Sequence, residues 1–223
     1  MSSFFTELQA QTVKEREFLV SAPLIQDAVN GQLTHSEYLA FLEQAYHHVK
    51  HTVPLLMATG SRLAPHQMWM QASIAEYIEE EIGHDEWILS DIAACGGDPD
   101  RVRHGTPGHA TEMMVAYAYY QVERVNPAGF FGMVHVLEGT SVSVATRAAA
   151  SIQSSLGLPN NAFSYLNSHG SLDIEHVQFF ETLMNGVSNA EDQKQILHCA
   201  KRFYRLYGDI FRSLRQEEAL VTS

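Results

Sequence analysis

Sulfur is scarce in this chain. Its two cysteines, Cys95 and Cys199, lie far apart and form no C-x-x-C pair, which excludes a disulfide framework and a thiolate metal knot. Reduced thiols in a cytoplasmic protein are the simple expectation. Basic residues are few as well: 14 Lys and Arg against 26 Asp and Glu leave a formal net charge of −12. Such a balance argues against a nucleic-acid backbone or an anionic membrane surface as partner. No apolar run approaches the ~18 residues that a membrane-crossing helix needs, and Met1 to Glu7 lack the basic stretch and apolar core of a leader. Sustained period-two alternation is also missing, so no strand is expected. Neither an internal repeat nor a linker-like stretch interrupts the pattern.

Apolar residues, in contrast, make up 45% of the chain and charged residues only 18%, enough to build a sizeable core. The expectation is one all-α domain over residues 1–223, a bundle of about seven to nine helices. Phe4, Leu8, Val13, Phe18 and Leu19 mark an entry helix over 3–20, and a shorter piece follows around Leu24 to Val29. Thr34 and Glu37 form a capping-box signature that opens a long helix towards Met57, in which Pro54 predicts a kink near Lys50. A helix over about 66–83 reaches Gly83, where a bend is permitted before His84, and Gly96-Gly97 stops the next. Residues 110–125 form a further apolar face. Asn126-Pro127 reads as an N-cap and first helical position, and the helix it opens runs into the small-residue segment after Gly139. Such small side chains let helices approach closely or leave room for a ligand. Ser188 and Glu191 read as a second capping box before a last helix over 189–215.

Chemistry-bearing residues concentrate in three places. In the octet from His169 to His176, positions i, i+4 and i+7 fall on one helical stripe, so His169, Asp173 and His176 point the same way. Two imidazoles and a carboxylate suit divalent iron, manganese or zinc without sulfur. Chance supplies this triplet about 0.07 times in a chain of this composition, so the signal carries some weight. The competing reading is a helix whose histidines satisfy buried hydrogen bonds. Glu81 and His84 have the i, i+3 spacing by which bundle helices offer a carboxylate and an imidazole to a shared metal. Chance alone yields about one such pair here, and Glu79, Glu80 and Glu81 also read as a solvated acidic run. Glu138, flanked by Val134, Leu137 and Val142, is costly to bury ionised without a cation, unless it reaches solvent or an arginine. Six ligands from three helices, Glu81, His84, Glu138, His169, Asp173 and His176, suit a pair of metal ions. Tyr46, His47, His48, His51, Tyr77 and His135 are the expected pocket lining.

The motifs H-x-x-x-D-x-x-H at 169–176, E-E-x-G-H at 80–84 and L-E-G-T-S at 137–141 are similar to those of the haem-oxygenase-like diiron oxidases and oxygenases. That family is structurally related to TenA thiaminases and PqqC. The resemblance spans about residues 36–215. It implies two iron ions, replaceable by manganese or zinc, held by the acids and histidines above, with Glu81 the best match for the first carboxylate and Glu80 its alternative. It also implies oxidation of a small organic substrate by dioxygen, with a reductant as a further partner. A homodimer is expected from frequency alone.

Other classes give different signatures. A TenA-like hydrolase needs a cysteine nucleophile beside a carboxylate, but Cys95 adjoins a Gly-Gly stop and His198 lies about 100° around the helix from Cys199. A PqqC-like oxidase would work without a metal. A haem protein would use a histidine of the 47–51 group as axial ligand. A metal-free ligand-binding bundle would tolerate His169→Ala.

Overall fold

A computed structural model describes the backbone over residues 3–221. The side chains at 142–143, 169–176 and 216–221 lie outside the described residues. Helices account for every regular element among them. In order they are α1 (Phe4–Gln11), α2 (Val13–Val20), α3 (Pro23–Val29), α4 (His35–Val49), α5 (Thr52–Gly60), α6 (Gln71–Glu81), α7 (His84–Ala94), α8 (Pro99–His104), α9 (His109–Tyr120), α10 (Phe130–Thr140), α11 (Thr146–Leu156), α12 (Ser164–Gly186) and α13 (Ala190–Val221). They outnumber the expected seven to nine because the entry helix, the helix over 34–57 and the helix opened at Asn126 are each divided in two and the short α8 forms in a turn-rich stretch; three of the helix boundaries are set by local chemistry.

Pro54 makes the first break. With no N–H to return to the Lys50 carbonyl, it turns the expected kink into a full interruption at Lys50 and His51, and the ladder resumes with the Leu55 amide donating to the His51 carbonyl at 2.9 Å. Gly83 makes the second. Its φ of +92° is open to glycine without strain, and it separates Glu81, the last residue of α6, from His84, the first of α7. The third lies between α1 and α2 at Thr12, whose hydroxyl donates to the Leu8 carbonyl at 2.7 Å.

Caps fall largely where the side chains place them. The Glu37 amide donates to the Thr34 hydroxyl at 3.2 Å while the Thr34 amide donates to the Glu37 carboxylate at 2.9 Å. Asn126 receives the Ala128 amide at 3.0 Å, opening a short 3₁₀ turn over Pro127–Gly129 that feeds α10. The expected box at Ser188 is corrected: the Asn189 side chain accepts from the amides of Glu191 and Asp192 at 2.9 and 3.1 Å, so the cap sits one residue later.

The core forms around α10 and α13, which share the most extensive helix contact in the molecule. Gly132 allows it: a Cβ there would lie 2.5 Å from the Ala200 amide nitrogen and 2.7 Å from the Ile196 carbonyl oxygen. Around this pair Phe131, Phe163, Phe203, Tyr38 and Tyr204 are fully buried. Two stretches widen to π geometry, Gln121–Val125 after α9 and Ser141–Ala145 between α10 and α11. Such wide turns recur at functional sites, and the second begins three residues after Glu138. No described helix is long and apolar enough to cross a membrane.

Candidate metal centre

Glu81 and Glu138 line one cavity of about 50 Å³, bounded by side chains of α4, α5, α6, α10, α12 and α13. The phase of α6 selects Glu81 from its acidic run: Glu79 and Glu80 are exposed, whereas Glu81 has only 16% of its side chain open to solvent. Across the Gly83 bend, His84 is 3% exposed, with its Nδ1 3.1 Å from Glu81 Oε2 and its ring stacked on Trp87 at 4.1 Å. Glu138 enters from α10. It is half-buried, one of its carboxylate oxygens is shut away from solvent, and Met133, Val134 and Leu137 share its wall.

Tyr77, one turn before Glu81, lines the same cavity and is 2% exposed. Burial, then the negative charge of Glu138 beside it and of Glu80 and Glu81 further off, hold its phenol protonated far above the usual range. Two carboxylates, Glu81 and Glu138, thus face one small space with no described lysine or arginine lining it. Apolar walls make such a concentration of negative charge costly unless protons or a cation offset it. Oxygen donors with an imidazole beside them are what ferrous, manganous or zinc ions accept. The donor set therefore fits a divalent cation. Among the described residues no group of three or more candidate ligands clusters tightly enough to define a complete metal site. His169, Asp173 and His176, the remaining expected ligands, lie outside the described side chains. Their backbone belongs to α12, whose Tyr165 lines the cavity.

The expected lining separates into residues that face this space and residues that do not. His48 and Tyr77 line it. The other four named residues pack elsewhere. Tyr46 and His47 pack edge-to-face at 5.5 Å, with the Lys50 ammonium 3.2 Å from His47 Nδ1. Burial, with help from Lys50 and His51, lowers the His47 pKa to about 4. His51 meets the Tyr119 hydroxyl at 3.1 Å. His135 sits among Phe5, Phe180 and Tyr204, with the hydroxyls of Thr12 and Tyr204 both 3.4 Å from its Nε2. Burial, and then Arg16, lowers its pKa to about 4. His135 lies three residues before Glu138 on a helix buried on nearly every side, so helical spacing alone did not tell the cavity face from the core face.

One residue of the site's framework escaped sequence reasoning. Asp91 on α7 is wholly buried, and its two carboxylate oxygens accept from the backbone amides of Ser164 and Tyr165, each at 2.9 Å. It caps α12 from another helix, where Phe163 at the local cap position offers no side-chain acceptor. The helix that begins with His84 thus fixes the start of the helix carrying 169–176.

Both thiols are buried, neither lines the cavity, and burial raises each to about 11.

Residues 39–208, about three quarters of the chain, match the iron-containing redox enzyme family. This chain belongs to that family. No curated protein matches it. Among solved structures it is similar to a protein of unknown function with a haem-oxygenase-like fold from Shewanella denitrificans, at 23% identity and TM-score 0.89, covering 100% of this chain and 96% of that one. It also resembles a TenA homologue from Pseudomonas syringae pv. tomato, at 11% identity and TM-score 0.79 over 96% and 93% of the two chains. A haem oxygenase from Leptospira interrogans aligns at 19% identity and TM-score 0.77 over 95% and 100%. At these identities the likeness establishes the haem-oxygenase-like fold and leaves the chemistry to the site.

Proposed function

We propose that this member of the iron-containing redox enzyme family is a non-haem oxidase or oxygenase that uses dioxygen on a small organic substrate at a pair of iron ions. The observation that carries the reading is the convergence of Glu81, with His84 against it, and Glu138 on one enclosed, apolar-walled cavity. Glu81, His84 and Glu138 would hold the metal together with His169, Asp173 and His176, and manganese or zinc would serve as substitutes. Bound iron would supply the electrons and the dioxygen affinity that no amino-acid side chain offers.

The chain's own contributions follow from the geometry. Glu138 is partly shielded from water and faces Glu81 across an apolar-walled space, an arrangement in which a bound cation lowers the cost of two ionised carboxylates. Tyr77 stays a neutral phenol beside Glu138, a hydrogen-bond donor to that carboxylate and not a competing anionic oxygen. Asp91 holds the start of α12 relative to α7. Leu56, Phe130, Met133 and Val134 restrict water.

A cysteine hydrolase of the TenA kind is disfavoured by two thiols raised to about 11 and placed away from the cavity. To test the proposal, ferrous iron is added to metal-free protein under anaerobic conditions, followed by oxygen, while bound metal and visible absorption are recorded. About two irons per chain and an oxygen-dependent absorption band are expected, both diminished in Asp173→Ala. Binding of zinc alone with no oxygen response would refute it.

A further inference from the structure

Residues 194–205 of α13 reverse the sign of the molecule. The chain carries a net charge of −12, yet this stretch holds Lys194, Lys201, Arg202 and Arg205 and no acid. With His198 they stand at i, i+4, i+7, i+8 and i+11, the spacing of one helical stripe, and four of the five are exposed. A groove flanks each side of this stripe. One, of about 820 Å³, lies between α13 and the end of α9 with its wide turn Gln121–Val125; the other, of about 720 Å³, lies between α13 and α2, and His198, Arg202 and Arg205 line both.

Acids do not neutralise the stripe. On other faces Arg62, Arg101, Arg103 and Arg215 are each paired with a carboxylate. Among the described residues Lys201, Arg202 and Arg205 join no ion pair, although Glu15 and Glu17 line the second groove, and Lys194 reaches Glu191 only at 4.0 Å. The Arg205 guanidinium lies over the Phe18 ring, 3.8 Å from its centroid, a contact that orients it and leaves its N–H edge for another partner. The first groove adds an apolar wall, with Tyr120 and Val125 exposed and Tyr117 and Leu206 half-buried. Its floor amides, Gln121 and Gln195, bond to each other at 2.6 Å, so recognition falls to the cationic rim and the apolar wall.

We propose that this face docks an acidic amphipathic helix of another protein, laid in the groove between α9 and α13. The cations recur over about 16 Å, three turns, which matches carboxylates at the same spacing on a partner helix, while its adjoining apolar stripe meets Tyr120 and Val125. Glu191 is the one acid lining that groove, so charge complementarity favours a helix confined to it. A nucleic acid or an anionic lipid surface extends beyond the stripe and would bring further negative charge against the acids elsewhere on the chain.

The probe is a labelled alanine-based peptide with glutamates at i, i+4, i+7 and i+11 and leucines on the adjoining stripe, its affinity for the full-length protein read by fluorescence anisotropy. It should bind about ten-fold tighter than a scrambled peptide of the same composition, and lose about ten-fold between roughly 0.05 and 0.3 M salt. Lys194→Glu combined with Arg202→Glu should abolish most of this binding, and Arg147→Glu, exposed on α11 outside both grooves, should leave it unchanged. Tyr120→Ala, at an exposed site, should weaken it without altering the salt slope, and decides the matter if the double variant fails to fold. Equal affinity for the scrambled peptide, or equal effects of the groove and α11 substitutions, would overturn the proposal. So would tighter binding of a single-stranded oligonucleotide or of phosphatidylserine vesicles, or a self-association that Arg202→Glu removes, which would give the face to a second copy of the chain.

Discussion

Replacing Asp91 by alanine leaves the amides of Ser164 and Tyr165 without their acceptor inside the protein. Both bonds are 2.9 Å long, the carboxylate is wholly buried, and α12 has no other side-chain cap at its first turn. Loss of an N-cap costs about 1 kcal/mol, and a buried donor left unsatisfied adds ~1–3 kcal/mol. A total of about 3 kcal/mol is expected, reduced if water enters the space the carboxylate leaves. With a urea m-value of about 3 kcal/mol/M for a chain of this size, the unfolding midpoint should fall by roughly 1 M. Asp91→Asn keeps one acceptor but turns an amide donor towards a second donor, so its loss should be intermediate. Ser90→Ala is the control, because that exposed hydroxyl only donates to the Glu86 carbonyl of its own helix. If Asp91→Ala unfolds at the same urea concentration as Ser90→Ala, the cross-helix cap does not support α12 and the argument fails.

Three further outcomes are expected. His135 is held neutral with a pKa of about 4, against about 6.5 when unfolded, so the unfolded chain binds the extra proton. Its stabilising contribution is complete above pH 6.5 and is lost as pH falls towards 4, by up to about 3 kcal/mol; His135→Gln should flatten that part of the stability–pH curve, and an unchanged slope would show that another group titrates there. Gly132→Ala forces a Cβ against the backbone of α13, so a loss of about 3 kcal/mol in chemical denaturation is expected, while Gly139→Ala, with open space nearly all round it, should cost under about 1 kcal/mol. Glu138→Ala should lower ferrous affinity by more than ten-fold and Glu79→Ala should leave it unchanged, as read from anaerobic binding isotherms; equal effects would place the metal elsewhere.

Local chemistry was the legible part of this sequence. The box at Thr34 and Glu37, the break at Pro54, the bend at Gly83 and the cap at Asn126 each depend on residues within a few positions of one another. The all-helical class followed from periodicity for the same reason. The choice between Glu80 and Glu81 was left open by the sequence and is separated by helix phase only once α6 is packed on α5, which leaves Glu79 and Glu80 exposed. What depends on distant partners was not legible. Nothing near Asp91 in the sequence marks it as a cap, because its partners Ser164 and Tyr165 lie 73 and 74 positions away. His135, His47 and His51 have spacings indistinguishable from those of cavity residues, because α10 and the end of α4 are buried on more than one side. The small-residue run after Gly139 signalled either close packing or vacant space, and only the arrangement of α3, α11 and α13 shows that it borders a pocket.

The account's central claim concerns where the metal resides, and anomalous diffraction at the iron absorption edge, from crystals of ferrous-loaded protein grown without oxygen, tests it most directly. Two peaks inside the cavity are expected, at least one within about 2.0–2.2 Å of carboxylate oxygens from both Glu81 and Glu138. Iron bound only at surface acids, or a cavity that holds no metal at saturating iron, would contradict it.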